Sequence, residues 1–148
     1  MTATALKLSN HNGYDGIISM SGANYRLMID PSYNPYYDAG SWDDQVVPGF
    51  TFDPPHTGTW YHYGMTVKAN GAAKIYVNGV VVHTSNQGVP AALPDGTIIY
   101  IGTGEDGAGH STEGVIDDVR IYNRALGAGE VAGLFALESG SAGGAQKK

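Results

Sequence analysis

Residues 114–126, GVIDDVRIYNRAL, decide the fold more firmly than any other stretch of the chain. From Val115 to Tyr122 alternate residues would point to opposite faces of an extended backbone, and this period of two predicts a β-strand. The paired acids Asp117 and Asp118 would then lie on opposite faces. We expect one acid to accept hydrogen bonds from loop backbone or to pair with Arg124 while the other meets solvent, so both would have a structural role.

Three more stretches upstream of this strand are typical of antiparallel sheets. In KIYVNGVVV, residues 74–82, Asn78-Gly79 separates two β-rich runs, and Asn-Gly readily adopts the two positive φ values of a type I′ turn. The stretch therefore predicts a hairpin. YHYGMTVK at 61–68 and YRLMID at 25–30 alternate with the same period of two and predict two further strands.

The C-terminal end of the sequence changes from strand-like alternation to helical spacing. AGEVAGLFAL at 128–137 places Val131, Leu134 and Phe135 on one stripe at helical spacing, which predicts one short helix. Residues 139–148 are rich in Gly, Ser and Ala and end in two lysines, a composition typical of a flexible tail. We therefore expect one domain over residues 1–138.

Composition narrows the class of protein further. The 148 residues include 22 glycines, ten tyrosines and seven prolines and no cysteine, which favours many short strands joined by tight turns. The net charge is −6 with only eight Lys and Arg, too few for the basic surface that nucleic acid requires. No run approaches the roughly 20 apolar residues of a membrane-spanning helix. We expect neither nucleic-acid binding nor membrane insertion.

Four stretches of the chain occur in a fixed order: GTWYHYGMTVK, KIYVNGVVV, YIGTG and GVIDDVRIYNRALGAGEV. In this order they resemble the laminin-G-like, concanavalin A-like jelly-roll family. The resemblance implies an all-β fold: an antiparallel two-sheet β-sandwich with one short C-terminal helix. It also implies a module that binds carbohydrate or a protein surface through its rim loops. The matching positions are Trp60, His62, Tyr76–Gly79, Ile101-Gly102 and Gly114–Leu126. Trp60, at a strand start, is expected in the core, and His62 is expected to pack rather than to bind a ligand.

The first half of the chain resembles this family more loosely. Ala5 or Leu6 stands where the family usually carries a tryptophan, and the family's opening strand pair is missing. Either the jelly roll is trimmed at that edge or another chain supplies the missing strand. Because an exposed sheet edge is a template for strand pairing, we expect a homo-oligomer or a larger assembly.

The stretch SYNPYYDAGSWDD, Ser32–Asp44, reads as a long loop between strands and is the main candidate binding site. Aromatic rings suit sugar faces and protein interfaces alike, and carboxylates hold hydroxyl groups. Three interpretations stay open: sugar binding, protein contact, and packing of the loop against its own sheet. The candidate ligand-binding residues are Tyr33, Tyr36, Tyr37, Trp42 and Asp38.

Metal ligands are sparse in this sequence. Asp43 and Asp44 are candidate ligands for calcium, which accepts hard oxygen ligands from irregular loops. The histidines lack the convergent spacing of a zinc site. The sequence therefore predicts no required cofactor, with calcium as the one candidate metal.

The sequence argues against glycoside hydrolysis. The Glu-x-Asp-x-x-Glu motif of laminarinase-type enzymes is absent, and Glu113 and Asp117 would lie roughly 13 Å apart on a strand, too far for either hydrolytic mechanism. We therefore expect a non-catalytic binding module that works outside the cell or on a particle surface. The rival hypothesis is a structural protein, such as a phage virion decoration or appendage subunit.

Overall fold

The computed structural model describes residues 2–8, 13–21, 25–40, 45–53, 58–69, 71–85, 95–104 and 110–142. Its strands are β1 Thr2–Leu8, β2 Asp15–Met20, β3 Tyr25–Ile29, β4 Pro35–Ala39, β5 Gln45–Val46, β6 Tyr61–Val67, β7 Ala73–Val77, β8 Val80–Thr84, β9 Ile99–Ile101 and β10 Gly114–Ile116. One helix, α1 Ala128–Ala142, follows them in this part of the chain.

The strands form two antiparallel sheets. Sheet A has the order β10-β1-β6-β7-β8, and sheet B has the order β5-β4-β3-β2-β9. This architecture confirms the predicted two-sheet sandwich with a C-terminal helix. The predicted hairpin is confirmed as well: Asn78 and Gly79 have φ values of 49° and 75°, and the turn pairs Val77 with Val80.

The core lies between the sheets and is built from the alternate residues that face inward. Sheet A contributes Tyr63, Met65 and Ile75, and sheet B contributes Ile18, Leu27 and Tyr37, all of them buried. The Tyr63 hydroxyl donates to the carbonyl oxygens of Met28 and Tyr36 in sheet B, at 3.1 and 3.2 Å. Because the hydroxyl finds partners, this core tyrosine is buried without an unsatisfied polar group.

Two local predictions are wrong. The strand expected from Val115 to Tyr122 ends at Ile116, because Asp118 adopts a left-handed φ of 50° and its N–H donates to Asp117 Oδ1 at 2.8 Å. A left-handed residue breaks the strand ladder. Trp60, expected in the core, is 45% exposed, since it precedes β6 and lies outside the ladder that carries Tyr61 inward.

Helix α1 packs on the outer face of sheet A. Val131 of α1 forms a small buried cluster with Tyr76 of β7 and Leu126, which precedes the helix. The helix begins at Ala128, where the Glu130 carboxylate accepts the Gly127 N–H at 2.8 Å, an arrangement that caps the first turn. Within the described residues, this helix lacks the length and apolar character of a membrane span.

The helix is longer than the sequence predicts. It continues to Ala142, so residues 139–142 of the predicted tail are helical, while 143–148 lie outside the described residues. The Ser139 hydroxyl donates to the Phe135 carbonyl oxygen at 2.8 Å, one turn earlier. Serine and glycine are weak helix formers, and tertiary packing of the preceding turns outweighs that preference.

Candidate functional site

The stretch Ser32–Asp44 is not a long loop, so that prediction is wrong. Residues Pro35–Ala39 form β4, which pairs with β3 and places Arg26 opposite Asp38 and Leu27 opposite Tyr37. The two tyrosines of this strand have high β-propensity, and sheet pairing outweighs the turn-forming residues on either side. The described part of the stretch, residues 32–40, is therefore a turn followed by a strand.

Tyr37 and Asp38 are both buried in this strand. Tyr37 faces the core, with its ring centroid 5.6 Å from that of His83. Asp38 points to the opposite face, where its Oδ2 accepts from Arg26 Nη2 at 2.8 Å. A buried carboxylate needs such a partner, because desolvation of a lone charge is costly. Both residues therefore stabilise sheet B.

Tyr33 lies in the turn between β3 and β4, with a left-handed φ of 64°. The turn is held by the Asp30 carboxylate, which accepts the N–H groups of Ser32 and Asn34, each at 2.8 Å. Carboxylate acceptance of this kind is a common way to fix a tight turn. The Tyr33 ring is partly buried and packs against the core cluster.

The remaining predicted site residues lie outside the described residues. Trp42, Asp43 and Asp44 belong to segment 41–44, so their roles as ligand-binding and calcium-binding residues stay predictions. Within the described part of the chain, no group of three or more His, Asp or Glu side chains is placed to hold a metal ion.

Tyr36 is the predicted residue that the structure brings to a surface cluster, on the outer face of sheet B. Its ring lies against the ring of Tyr14, with centroids 5.1 Å apart, and the Tyr14 ring meets His110 edge-on at 5.6 Å. Val46 of β5 stands directly opposite Tyr36 in the sheet. We call these four residues the Tyr14 surface.

The Tyr14 surface combines an accessible aromatic ring with polar groups. Tyr14 is 37% exposed and Val46 is 47% exposed, while Tyr36 is buried beneath Tyr14 and supports it from the sheet. His110 is exposed and adds an imidazole with one donor and one acceptor when neutral. A ring face beside a phenol hydroxyl and an imidazole can contact apolar C–H groups while bonding hydroxyl groups.

His110 reaches this face because the connection between β9 and β10 lies against β2. The Gly16 N–H donates to the His110 carbonyl oxygen at 2.6 Å, and the Thr112 hydroxyl donates to the Gly16 carbonyl oxygen at 2.9 Å. A Cβ atom on Gly16 would lie 2.4 Å from the Thr103 carbonyl oxygen. Glycine is therefore required at this position for the close approach of the two backbones.

A second polar cluster, beneath α1, has a structural role. His62 is buried with its Nε2 3.9 Å from Glu138 Oε2, and Arg120 Nη1 lies 3.0 Å from Glu138 Oε1. Burial lowers the pKa of His62, and the positive charge of Arg120 lowers it further. Burial also raises the pKa of Glu138. The cluster joins the C-terminal half of α1 to sheet A, and His62 packs as the sequence predicts.

The sequence does not point to Tyr14, Val46 or His110 as site residues. Tyr14 sits in SNHNGYDG, which reads as a turn, and His110 sits almost one hundred positions away in a polar loop. Tyr14 and His110 meet because Gly16 of β2 forms hydrogen bonds with His110 and Thr112, which follow β9 in the chain. The local signal that was available is Gly16, a glycine at a strand position, which often marks close approach of another backbone.

Comparison with known proteins identifies relatives of the whole sandwich. A family model described as the concanavalin A-like lectin/glucanases superfamily, Laminin_G_3, matches residues 3–132. A search of curated proteins finds no match. The family match covers both sheets and the first turn of α1.

Solved structures share this fold at low sequence identity. One is a candidate carbohydrate binding protein from Bacteroides ovatus, with a TM-score of 0.69 and 19% identity over 88% of this chain and 39% of that chain. A pentraxin from Limulus polyphemus has a TM-score of 0.66 and 19% identity over 89% of this chain and 71% of its own. Domain 4 of an extracellular arabinanase from Geobacillus stearothermophilus, in complex with arabinotriose, has a TM-score of 0.66 and 22% identity over 90% and 64%.

These similarities establish the fold but do not identify the binding site. The chain spans 39% of the Bacteroides protein and 64% of the arabinanase domain structure, which is less than two thirds of each. At identities of 19–22% the comparisons concern the backbone architecture.

Proposed function

Because the chain belongs to the concanavalin A-like lectin/glucanases superfamily, we propose that it is a non-catalytic module that binds carbohydrate through the Tyr14 surface. The observation that carries the proposal is the Tyr14 ring, which is accessible on the outer face of sheet B and backed by Tyr36. A rigid, supported ring loses little conformational entropy when a sugar stacks on it.

The polar neighbours of Tyr14 suit a sugar better than an apolar partner. The Tyr14 hydroxyl and the His110 imidazole can each donate or accept a hydrogen bond, as ring hydroxyl groups require. Val46, at the side of the same cluster, offers apolar area for C–H groups. A protein partner would be expected to need a larger apolar centre than one ring and one valine.

The acidic residues near the end of sheet A support a binding role rather than hydrolysis. Glu113 and Asp117 are both exposed, on either side of β10, and Asp117 accepts the N–H of Asp118. Glycoside hydrolysis needs two carboxylates that converge at a fixed separation across the scissile bond. One protein of similar fold is an extracellular arabinanase, which supports the proposal that this chain works outside the cell or on a particle surface.

A glycan screen tests the proposal directly. We expect wild-type protein to bind at least one oligosaccharide and Tyr14→Ala to bind it about 30-fold more weakly, the loss typical of a central aromatic contact. The control is Trp60→Ala, which removes another exposed aromatic residue, located before β6 in the other sheet. Equal loss in both variants, or release of shorter sugars by the wild type, would refute the proposal.

A further inference from the structure

Among the described residues, the core between the two sheets is incompletely covered along one edge. Strand β9 is the edge of sheet B, and Ile99 and Ile101 stand opposite Met20 and Ile18 of β2. Directly opposite residues share a face of the sheet, so both isoleucines point toward the core side, as Met20 and Ile18 do. Yet Ile99 is 43% exposed and Ile101 52% exposed, whereas Met20 and Ile18 are buried.

Strand β10 borders the same opening from sheet A. It is the edge strand beside β1, and its Ile116 packs against the core cluster. A Cβ atom on Gly102, directly after β9, would lie 3.8 Å from Ile116 Cδ1. At the opposite edge, by contrast, Val47 is buried and His83 lies against Tyr37, so side chains close the core there.

The backbone of β9 is arranged for another strand. The Ser21 N–H donates to the Ile98 carbonyl oxygen at 2.9 Å, and the Ile98 N–H donates to the Ser21 hydroxyl oxygen at 3.0 Å. The Gly102 N–H donates to the Ile17 carbonyl oxygen at 3.0 Å. The direction of backbone hydrogen bonding alternates from residue to residue along an antiparallel strand. The backbone N–H and C=O groups of residues 98, 100 and 102 therefore point toward β2. The backbone N–H and C=O groups of Ile99 and Ile101 then point away from the sheet, where no described strand pairs with them.

We propose that two copies of the chain associate through antiparallel pairing of β9 with β9 of the second copy, about a two-fold axis at Tyr100. In this register Ile99 of one copy stands opposite Ile101 of the other, and each N–H finds a carbonyl oxygen. The two outward N–H groups and the two outward carbonyl oxygens of each copy, those of Ile99 and Ile101, are then all hydrogen-bonded. Sheet B then continues as one ten-stranded sheet, and the four isoleucines cover each other at the open edge.

The composition of the edge favours a second copy over a charged partner. The stretch Thr97–Gly102, TIIYIG, carries neither a charge nor a proline, which are two of the features that protect edge strands from pairing. An isologous contact of this kind is self-complementary and closes after two copies. The inference concerns β9 alone and is independent of what the Tyr14 surface binds.

Sedimentation tests the pairing with two substitutions at one position. We expect the wild type to change from monomer to dimer between low and high micromolar concentration. Ile99→Lys would weaken the dimer about 100-fold, because two buried charges would face the apolar edge of the other copy. Ile99→Pro removes the outward N–H without adding charge, and a proline is tolerated at the first residue of an edge strand.

Val80→Lys is the matched control, since Val80 is 64% exposed on β8, the far edge of sheet A. It should dimerise like the wild type. Amide hydrogen exchange of the unmodified protein provides an independent measurement, in which the N–H groups of Ile99 and Ile101 become protected as concentration rises. A wild type that stays monomeric, a dimer that persists in both Ile99 variants, or rapid exchange at both amides in a dimer would overturn the proposal.

Discussion

The ring of Tyr14 rests on the ring of Tyr36, with centroids 5.1 Å apart and planes inclined by 57°. Tyr36 is buried in β4 and fixes the position of Tyr14, which belongs to the segment before β2. The pair therefore joins a strand of the sandwich to the accessible ring that we propose as the centre of the site. Aromatic pairs of this kind contribute about 0.5–1.5 kcal/mol beyond the area they bury.

The first prediction concerns this support. Tyr36→Leu removes the ring beneath Tyr14, and we expect glycan affinity to fall about threefold to tenfold as Tyr14 loses its fixed orientation. Tyr36→Phe keeps the ring and should bind like the wild type. Calorimetric titration of both variants measures the difference, and equal affinities for Leu and Phe would show that Tyr36 does not support the site.

The second prediction concerns Gly16. Gly16→Ala would place a methyl group 2.4 Å from the Thr103 carbonyl oxygen, so the β9–β10 connection must move away from β2. We expect a loss of about 1–3 kcal/mol in the free energy of unfolding, together with weaker glycan binding as His110 is displaced. Gly13→Ala is the control, because a Cβ there has no neighbour within 4 Å. Chemical denaturation that finds the two variants equally stable would contradict this account.

The third prediction separates structure from binding at Asp38. Asp38→Ala removes the carboxylate of the buried Arg26–Asp38 pair, which we expect to cost about 3–5 kcal/mol in the free energy of unfolding. The double variant Arg26→Met with Asp38→Leu removes both charges and should recover most of that loss. Denaturant titration compares the two. Normal stability of Asp38→Ala with lost glycan binding would instead return Asp38 to the binding site.

The fourth prediction concerns pH. The pKa of His62 lies below its ordinary 6.5, so between 6.5 and this lower value the unfolded chain binds a proton that the folded chain does not. Folding stability should therefore fall as pH decreases through this window. The raised pKa of Glu138 acts in the opposite sense nearer its ordinary value of 4.5, since the folded carboxyl takes up its proton first.

His62→Gln isolates the histidine contribution. We expect the variant to lose less stability than the wild type between pH 7.5 and pH 5.5, measured by thermal unfolding, because only the wild type carries the buried imidazole whose protonation opposes folding. Titration of the His62 ring by NMR supplies the direct value. Parallel stability profiles, or a His62 pKa at or above 6.5, would be inconsistent with a buried neutral imidazole.

The sandwich was predictable because its signals are local. Asn78-Gly79 fixes a hairpin within four residues, and alternation in β6 and β3 sets the inward faces. The site was less predictable because its residues are far apart in the sequence and are brought together by the pairing of strands. Tyr36 shows no difference in sequence from its neighbour Tyr37, yet one reaches the Tyr14 surface and the other the core, since adjacent strand residues face opposite sides.

Chemical-shift mapping tests the central claim most directly. Isotope-labelled protein would be titrated with the strongest glycan from the screen, and backbone amide shifts would be followed for the whole chain. We predict that the largest changes cluster at Tyr14, Tyr36, Val46 and His110, on one face of sheet B. Changes centred on Trp60 or on residues 41–44, with the Tyr14 surface unaffected, would contradict the account.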